Sequence, residues 1–385
     1  MSEYQYYEFM AIDRPLDPNA MADLRQISSR ARITPTSLTN VYNYGDFRDD
    51  PDRLMDRYFD AHLYVANWGS RRLMLRLPAA AFPLALAKPY AIAETMTARA
   101  TADHVILTLQ TNPEEWGGSY EEGEGWLAPL LSLRSELLAG DLRCLYLGWL
   151  AAIDEYVVED EDVEPPVPPG LQQLSAPLTT LAEFLRLDPD LLGVAAAGSV
   201  GEPPVGPTTA DLAAWIATLP TGEKDRMVMR VMQGEGSALA GELHRRFREG
   251  QRRTAASERP DAPRRTAGEL RAASERAAEE RKRKEAERAA RARERRAREL
   301  AAAREQHLDT LVGREDELWR QVDQAIAARL PKEYDRAIEM LKDLRDLATR
   351  AGQAEGVTAR IRALREQHQR KRTLLKRFDR ANLPQ

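Results

Sequence analysis

Apolar and polar positions change period along the chain, and each change marks a different kind of element. Near the N-terminus Tyr4, Tyr6, Phe9 and Ile12 are interleaved with polar residues, the period of a half-buried strand, which Arg14-Pro15 ends. Asp17-Pro18 then opens a helix, with Asp17 as N-cap, Pro18 in the first turn, and Met21, Leu24, Ile27 and Ser28 at helical spacing. Residues 41–47 read as a short strand running into an acidic loop, and residues 52–59 as another helix. Residues 62–68 and 72–77 are two strands joined by Trp68-Gly69-Ser70, which is hairpin chemistry, and residues 90–99 and 104–111 form a further pair around Ala102-Asp103. Residues 126–138 and 142–156 space their apolar side chains three and four apart, which predicts helices packed on the sheet.

Residues 1–158 therefore read as a mixed α/β domain with largely antiparallel strands. The stretch VVEDEDVEPPVPPG forbids regular structure, since like charges repel and prolines lack donors, so residues 159–170 are expected to be an acidic, proline-rich linker. Residues 171–250 carry only short helical patterns. Leu178, Leu181, Phe184 and Leu185 form one stripe, and Gly and Pro break the chain between residues 198 and 207. Thr209 is expected to cap a helix with Leu212, Trp215, Ile216 and Leu219 inward, and Thr221 another with Met227, Val228, Val231 and Met232 inward, giving a small helical domain.

Between residues 264 and 305 the chain is almost entirely Arg, Lys, Glu and Ala, the best helix formers, and no Pro or Gly interrupts residues 269–312. Glu279 with Arg283, Glu280 with Lys284, Glu287 with Arg291, and Glu294 with Arg298 place an acid four residues before a base, the favourable order on a helix. Large apolar residues are missing between Leu270 and Leu300, so the run reads as a single exposed helix, with a coiled-coil stem and disorder as the alternatives. At about 1.5 Å per residue it would span roughly 60 Å. Beyond it, residues 306–385 return to helical stripes. Leu308, Leu311, Leu318, Trp319, Val322 and Ile326 share one face, and Pro331 starts a helix with Tyr334, Ile338, Leu341, Leu344 and Leu347 that Gly352 ends. The fold class expected is multi-domain α+β: an N-terminal mixed α/β domain, a small helical domain, a long charged helix and a C-terminal helical bundle.

Charge sharpens this division. The net charge of −5 conceals 27 acids against 14 bases in residues 1–165 and 25 against 38 in residues 244–385. Such a chain can fold back on itself, stack head to tail, or offer its basic end to an acidic partner. The single cysteine, Cys144, excludes a disulfide framework and every multi-cysteine zinc site, which suits a reducing cytoplasm. The opening MSEYQYYEF has no basic region, and the longest apolar run is too short to span a bilayer, so neither a signal peptide nor a membrane span is expected.

The chemistry on offer is sparse. Asp46, Asp49, Asp50, Asp52 and Asp56 cluster as hard-cation ligands would, but lack the glycine and closing glutamate of an EF-hand loop, and a solvated loop is the plainer reading. His62 and His104 begin two predicted strands with no third ligand nearby, which suits structural histidines. Neither GxxxxGK[ST] nor GxGxxG occurs; GGSYEEGEG carries glutamates that would repel phosphate; Ser119, Ser175 and Ser199 lie in no nucleophile elbow. No cofactor or catalytic residue is expected. The strongest binding candidates are the tail cations Arg360, Arg365, Arg370, Lys371, Arg372, Lys376 and Arg377, with Arg362, His368 and Arg380 among them, where a protein partner or nucleic-acid phosphates could dock; Phe378 is the one aromatic available for base stacking.

The tail segments YDRAIEMLKDLRDLATRAG and IRALREQHQRKRTLLKRFDRANL resemble the C-terminal helical segment of bacterial SWIM zinc-finger proteins, and YQYYEFMAIDRPL and HLYVANWGSRRLMLRLP resemble uncharacterised bacterial proteins of the same company. The zinc motif itself, Cys-x-Cys followed by Cys-x-His, is absent. The resemblance implies a relative or partner of such proteins and carries over no functional residue. The chain thus reads as a cytoplasmic scaffold or adaptor, against two alternatives: a nucleic-acid-associated accessory protein acting through its basic tail, or an enzyme with an unrecognised site in the α/β region. Its oligomeric state is open.

Overall fold

A computed structural model describes residues 4–113, 122–202, 209–233 and 264–384, together with Leu239, Glu242, Leu243, Arg246, Phe247 and Gly250. The protein has a mixed α+β fold that separates into two compact units, residues 1–281 and 282–385.

The first unit is built on an antiparallel sheet of β1 (Gln5–Met10), β2 (Arg32–Thr34), β3 (Ser37–Tyr42), β4 (Ala61–Ala66), β5 (Arg71–Pro78), β6 (Met96–Ala100) and β7 (His104–Thr111), in the order β2-β3-β1-β4-β5-β7-β6. Alternation along each strand sorts side chains onto its two faces. Leu73, Leu75 and Leu77 of β5 and Val105, Leu107 and Leu109 of β7 enter one core, while Met74 and Ile106 enter the other with Phe9, Leu38 and Phe59. The β4–β5 turn depends on Gly69, whose φ of 98° lies in the left-handed region that favours glycine.

Helices cover both faces. Pro18–Ile27 and Pro51–Arg57 lie over the smaller core through Leu24, Leu54 and Met55. Both begin as an Asp-Pro pair dictates: Asp17 accepts the Ala20 amide at 2.8 Å and Asp50 the Asp52 amide at 3.0 Å. Over the larger core lies Arg143–Asp154, buried along nearly its whole length; a Cβ on Gly148 would come within 2.9 Å of Leu109, so this glycine permits the close approach of helix to sheet.

Several elements differ from expectation. The strand expected at residues 41–47 runs earlier, at Ser37–Tyr42, and β2 precedes it, because Pro35 interrupts what would otherwise be one continuous Thr-rich strand. The strand expected from residue 90 begins at Met96, since Lys88-Pro89-Tyr90 forms a tight helical turn. Residues 126–138 form two short helices, Leu127–Leu130 and Ser132–Leu138. The expected linker at residues 159–170 is partly packed against the fold: Glu164, Pro165, Pro168 and Gly170 are buried, and beyond it Leu171, Leu178, Leu181, Phe184 and Leu191 join the same core as the sheet. Two of its acids, Asp160 and Glu164, find cationic partners there in Arg271 and Arg265.

Helices Thr209–Thr218 and Thr221–Met232 form as expected, but of the apolar residues expected inward only Leu212, Trp215, Leu219 and Met227 are half-buried. Ile216, Val228, Val231 and Met232 are exposed, and Trp215 meets Phe247 edge-on at 5.7 Å. Pro220, not Thr221, occupies the cap position, and no side-chain capping bond is made among the described residues.

The charged run is one helix, Ala267–Leu311. A capping box starts it: Thr266 Oγ1 accepts the Glu269 amide at 3.2 Å and Glu269 Oε2 accepts the Thr266 amide at 2.9 Å. Gly313, at a φ of 78°, turns the chain into Glu315–Ala327, so the apolar stripe after residue 306 is divided between two helices. Pro331–Arg350, Ala354–Gln367 and Arg372–Arg380 complete the second unit around Leu308, Trp319, Val322, Ile338, Leu341, Ile361, Leu374 and Phe378.

Candidate functional site

The basic tail residues divide into two sets. Arg360 lies over the Trp319 ring, its guanidinium carbon 4.1 Å from the ring centroid. Arg365 pairs with Asp379 and lies 6.0 Å from the Phe378 ring centre. Lys371 donates from Nζ to the Ile326 carbonyl at 3.1 Å, closing the end of Glu315–Ala327; burial, with the nearby charge of Arg329, lowers its pKa. Arg377 donates from Nε to Asp335 Oδ1 at 2.6 Å, a bond that raises its pKa further. These four cations tie the helices of their own unit together.

Arg370, Arg372 and Lys376 have no hydrogen bond or ion pair among the described residues and are exposed. Arg372 and Lys376 stand four apart on one helix, hence on one face, and Arg370 lies two residues before its start. Three long, unengaged cations so close in sequence can meet carboxylates or phosphates. Phe378 cannot serve base stacking, since it is wholly buried in the tail core.

A second cluster, missed from the sequence, surrounds the start of the charged helix within the first unit. Glu164 is 2% exposed and accepts from Arg265 Nε at 2.9 Å, from Arg265 Nη2 at 2.6 Å and from the Tyr146 hydroxyl. Burial, then the Glu164 carboxylate, raises the tyrosine pKa. Arg265 Nη1 also donates to the Val194 carbonyl at 2.9 Å; Arg271 pairs with Asp160 and Arg281 with Asp190. The backbone joins in, with Ala267 N donating to Asp162 O at 2.9 Å. The acids of the expected linker thus hold the helix start. The signal that could have located that start is the spacing Thr266-x-x-Glu269.

The other candidates are structural in their contacts. Arg99 bridges Asp52 at 3.0 Å and Asp56 at 2.7 Å, Arg53 lies 3.6 Å from Asp49, Asp50 caps its helix, and Asp46 accepts from Gln5 Nε2 at 3.0 Å, so the acidic loop is engaged by protein groups. His62 and His104 are not brought together: His62 stands opposite Met74 on β5, while His104 stands opposite Pro78 on the far side of that strand. His62 is wholly buried, stacked on Phe9 at 4.0 Å, with Nδ1 3.0 Å from the Glu8 carbonyl. Ser175 caps Ala176–Phe184, and Ser199 donates to the Pro168 carbonyl at 2.7 Å. Ser119 and most of GGSYEEGEG lie outside the described residues. Cys144 is buried, which pushes its thiol pKa up. Among the described residues, no group of three or more His, Cys, Asp or Glu is placed to hold a metal ion, and no helix is long and apolar enough to cross a membrane. No family model, curated protein or solved structure matches this chain.

Proposed function

We propose that the chain is a non-enzymatic adaptor of a cytoplasmic, bacterial multi-protein system, laid out as an α/β region and a small helical region followed by a charged helix and a basic helical bundle. The observation that carries this reading is the division among the tail cations. Arg360, Arg365, Lys371 and Arg377 are engaged within the fold, whereas Arg370, Arg372 and Lys376 stand in solvent with no partner among the described residues. Exposed charges of this kind contribute little to stability and much to partner choice and encounter rate. The partner is a protein presenting an acidic face, and the resemblance of the tail makes SWIM zinc-finger-type proteins the first to try.

The same cations favour a second reading, an accessory protein bound to nucleic acid. Reversing Arg370→Glu, Arg372→Glu and Lys376→Glu together separates the two. Lys371 is left alone because it closes a helix. The adaptor reading expects the variant to keep its melting temperature and lose a specific protein partner in pull-downs from the native host. Loss of salt-sensitive DNA or RNA retention, with protein capture intact, selects the second reading; loss of neither overturns both.

A further inference from the structure

A groove of about 370 Å³ opens beside the sheet edge in the first unit, between the end of Pro18–Ile27 and the segment that follows β3. Its lining includes Ser28, Arg30, Tyr42, Tyr44, Asp46 and Arg48. The hydrogen bonding behind the wall leaves it rich in donors. Asn40, 4% exposed, donates from Nδ2 to Ser28 Oγ at 2.8 Å and to Tyr42 Oη at 2.7 Å, and Ser28 Oγ also accepts the Ala31 amide at 3.2 Å. Both hydroxyl oxygens act as acceptors, so each hydroxyl proton must point away from those bonds, and neither has an acceptor among the described residues. Ser28 is itself only 8% exposed, so its unengaged proton is a buried one. The Tyr42 ring is held edge-on against Tyr7 and Phe47, at 5.9 and 6.4 Å between ring centres.

The charges lean the same way. Arg30 and Arg48 are exposed and have no ion pair among the described residues, although residues 1–165 are strongly acidic. The one carboxylate on the lining, Asp46, accepts from Gln5 Nε2 at 3.0 Å. Tyr44, 78% exposed, adds a planar surface at the mouth. Two guanidinium groups and two hydroxyl protons gathered on one groove match a ligand that only accepts.

We propose that this groove binds the oxyanion group of a small molecule, a phosphate or a carboxylate, with Arg30 and Arg48 supplying charge and the Ser28 and Tyr42 hydroxyls donating to its oxygens. Every residue of the site lies in the first unit, so the tail reversals are not expected to weaken oxyanion binding.

Calorimetric titration of the full chain with inorganic phosphate and, separately, with succinate tests this at constant ionic strength. Saturable binding of either, with a Kd below about 10 mM, is expected, and the tighter titrant identifies the source of the oxyanion. Arg30→Gln with Arg48→Gln should weaken binding at least about tenfold, and Tyr42→Phe, which keeps the ring packing and removes only the hydroxyl, by about threefold to tenfold. Unchanged melting temperatures show that the variants fold. Absence of saturable binding by both titrants, or unaltered affinity in the folded double variant, overturns the proposal.

Discussion

The first turns of the charged helix and its middle turns use nearly the same residues, yet they are held by different forces. At the start, Ala267 and Leu270 are wholly buried, Ser274 is buried, and Arg271 and Arg281 pair with Asp160 and Asp190, acids roughly a hundred residues away in sequence. From residue 282 to residue 303 every position is exposed. There the pairs are local: Glu294 with Arg298 at 2.5 Å and Arg295 with Glu299 at 3.6 Å. The first part is helical because tertiary packing fixes it. The middle is helical because Ala, Arg, Glu and Lys favour the conformation and support each other one turn apart. Charge composition alone therefore does not say what a charged residue does; the partner within reach decides.

One substitution made twice breaks the comparison most directly. Leu270→Ala removes a wholly buried side chain from the larger core and should destabilise the first unit by about 2–5 kcal/mol. Leu300→Ala, on the same helix at 72% exposure, should change stability by less than about 0.5 kcal/mol. Urea denaturation of the full chain, followed by tryptophan fluorescence, measures both. Equal effects would mean that the two stretches share one environment.

Acid should separate the regions next. Burial, with the charge of Arg72 assisting and the Glu8 carbonyl opposing, pushes the His62 imidazole down to about 3. In the unfolded chain an imidazole titrates near 6.5, so between those values the unfolded state binds a proton that the folded state refuses. Stability of the first unit is then complete above about pH 6.5 and falls as pH drops toward 3, by up to about 1.4 kcal/mol per pH unit. Asp60 acts lower. Burial alone would raise its pKa, but the amides of Asp13 and Ile12 and the guanidinium of Arg76 lower it overall, so its contribution is lost only below about 3.8. His62→Phe should flatten the slope between pH 6.5 and 4 in denaturation curves taken at stepped pH. A slope that survives the substitution would assign it to another group.

Local rules made much of the fold legible in advance. Asp17-Pro18 announced its helix because the cap bond lies within three residues, and Pro331 and Gly352 bounded theirs for the same reason. Residues 72–77 and 104–111 read as strands from their local pattern, and β5 and β7 form there. What escaped were decisions made at long range. Nothing local to residues 159–170 reveals that Glu164 meets Arg265, so an acidic, proline-rich segment reads as a tether when its partners are out of view. The apolar spacing of residues 221–232 is that of a packed helix, yet Val228 and Met232 are exposed, because periodicity reports a stripe and not what covers it. For the tail, the sequence could list the cations but not separate Lys371, bonded to a carbonyl, from Arg370 beside it. The oxyanion groove depends on which way two hydroxyl protons turn, and that follows from Asn40, twelve residues from Ser28 and on another element.

Salt gives the smallest effect and the sharpest test of the middle turns. Glu294 and Arg298 are 62% and 79% exposed, so water and ions surround their attraction, and a pair of this kind is worth about 0.2–0.5 kcal/mol. At 1 M salt the screening length shrinks to about 3 Å, comparable to the pair separation, and part of that attraction is lost. A peptide of residues 264–305, freed of the acids that hold the helix start, should remain mostly helical in circular dichroism and lose only a modest fraction of its signal between 0.01 M and 1 M salt. The intrinsic preference of alanine and the long charged residues is not electrostatic and persists. Sedimentation as a monomer is expected throughout. Stable dimers would show that the alanine stripe acts as a coiled-coil seam, and collapse of helicity in salt would show that ion pairs, rather than propensity, hold the middle turns.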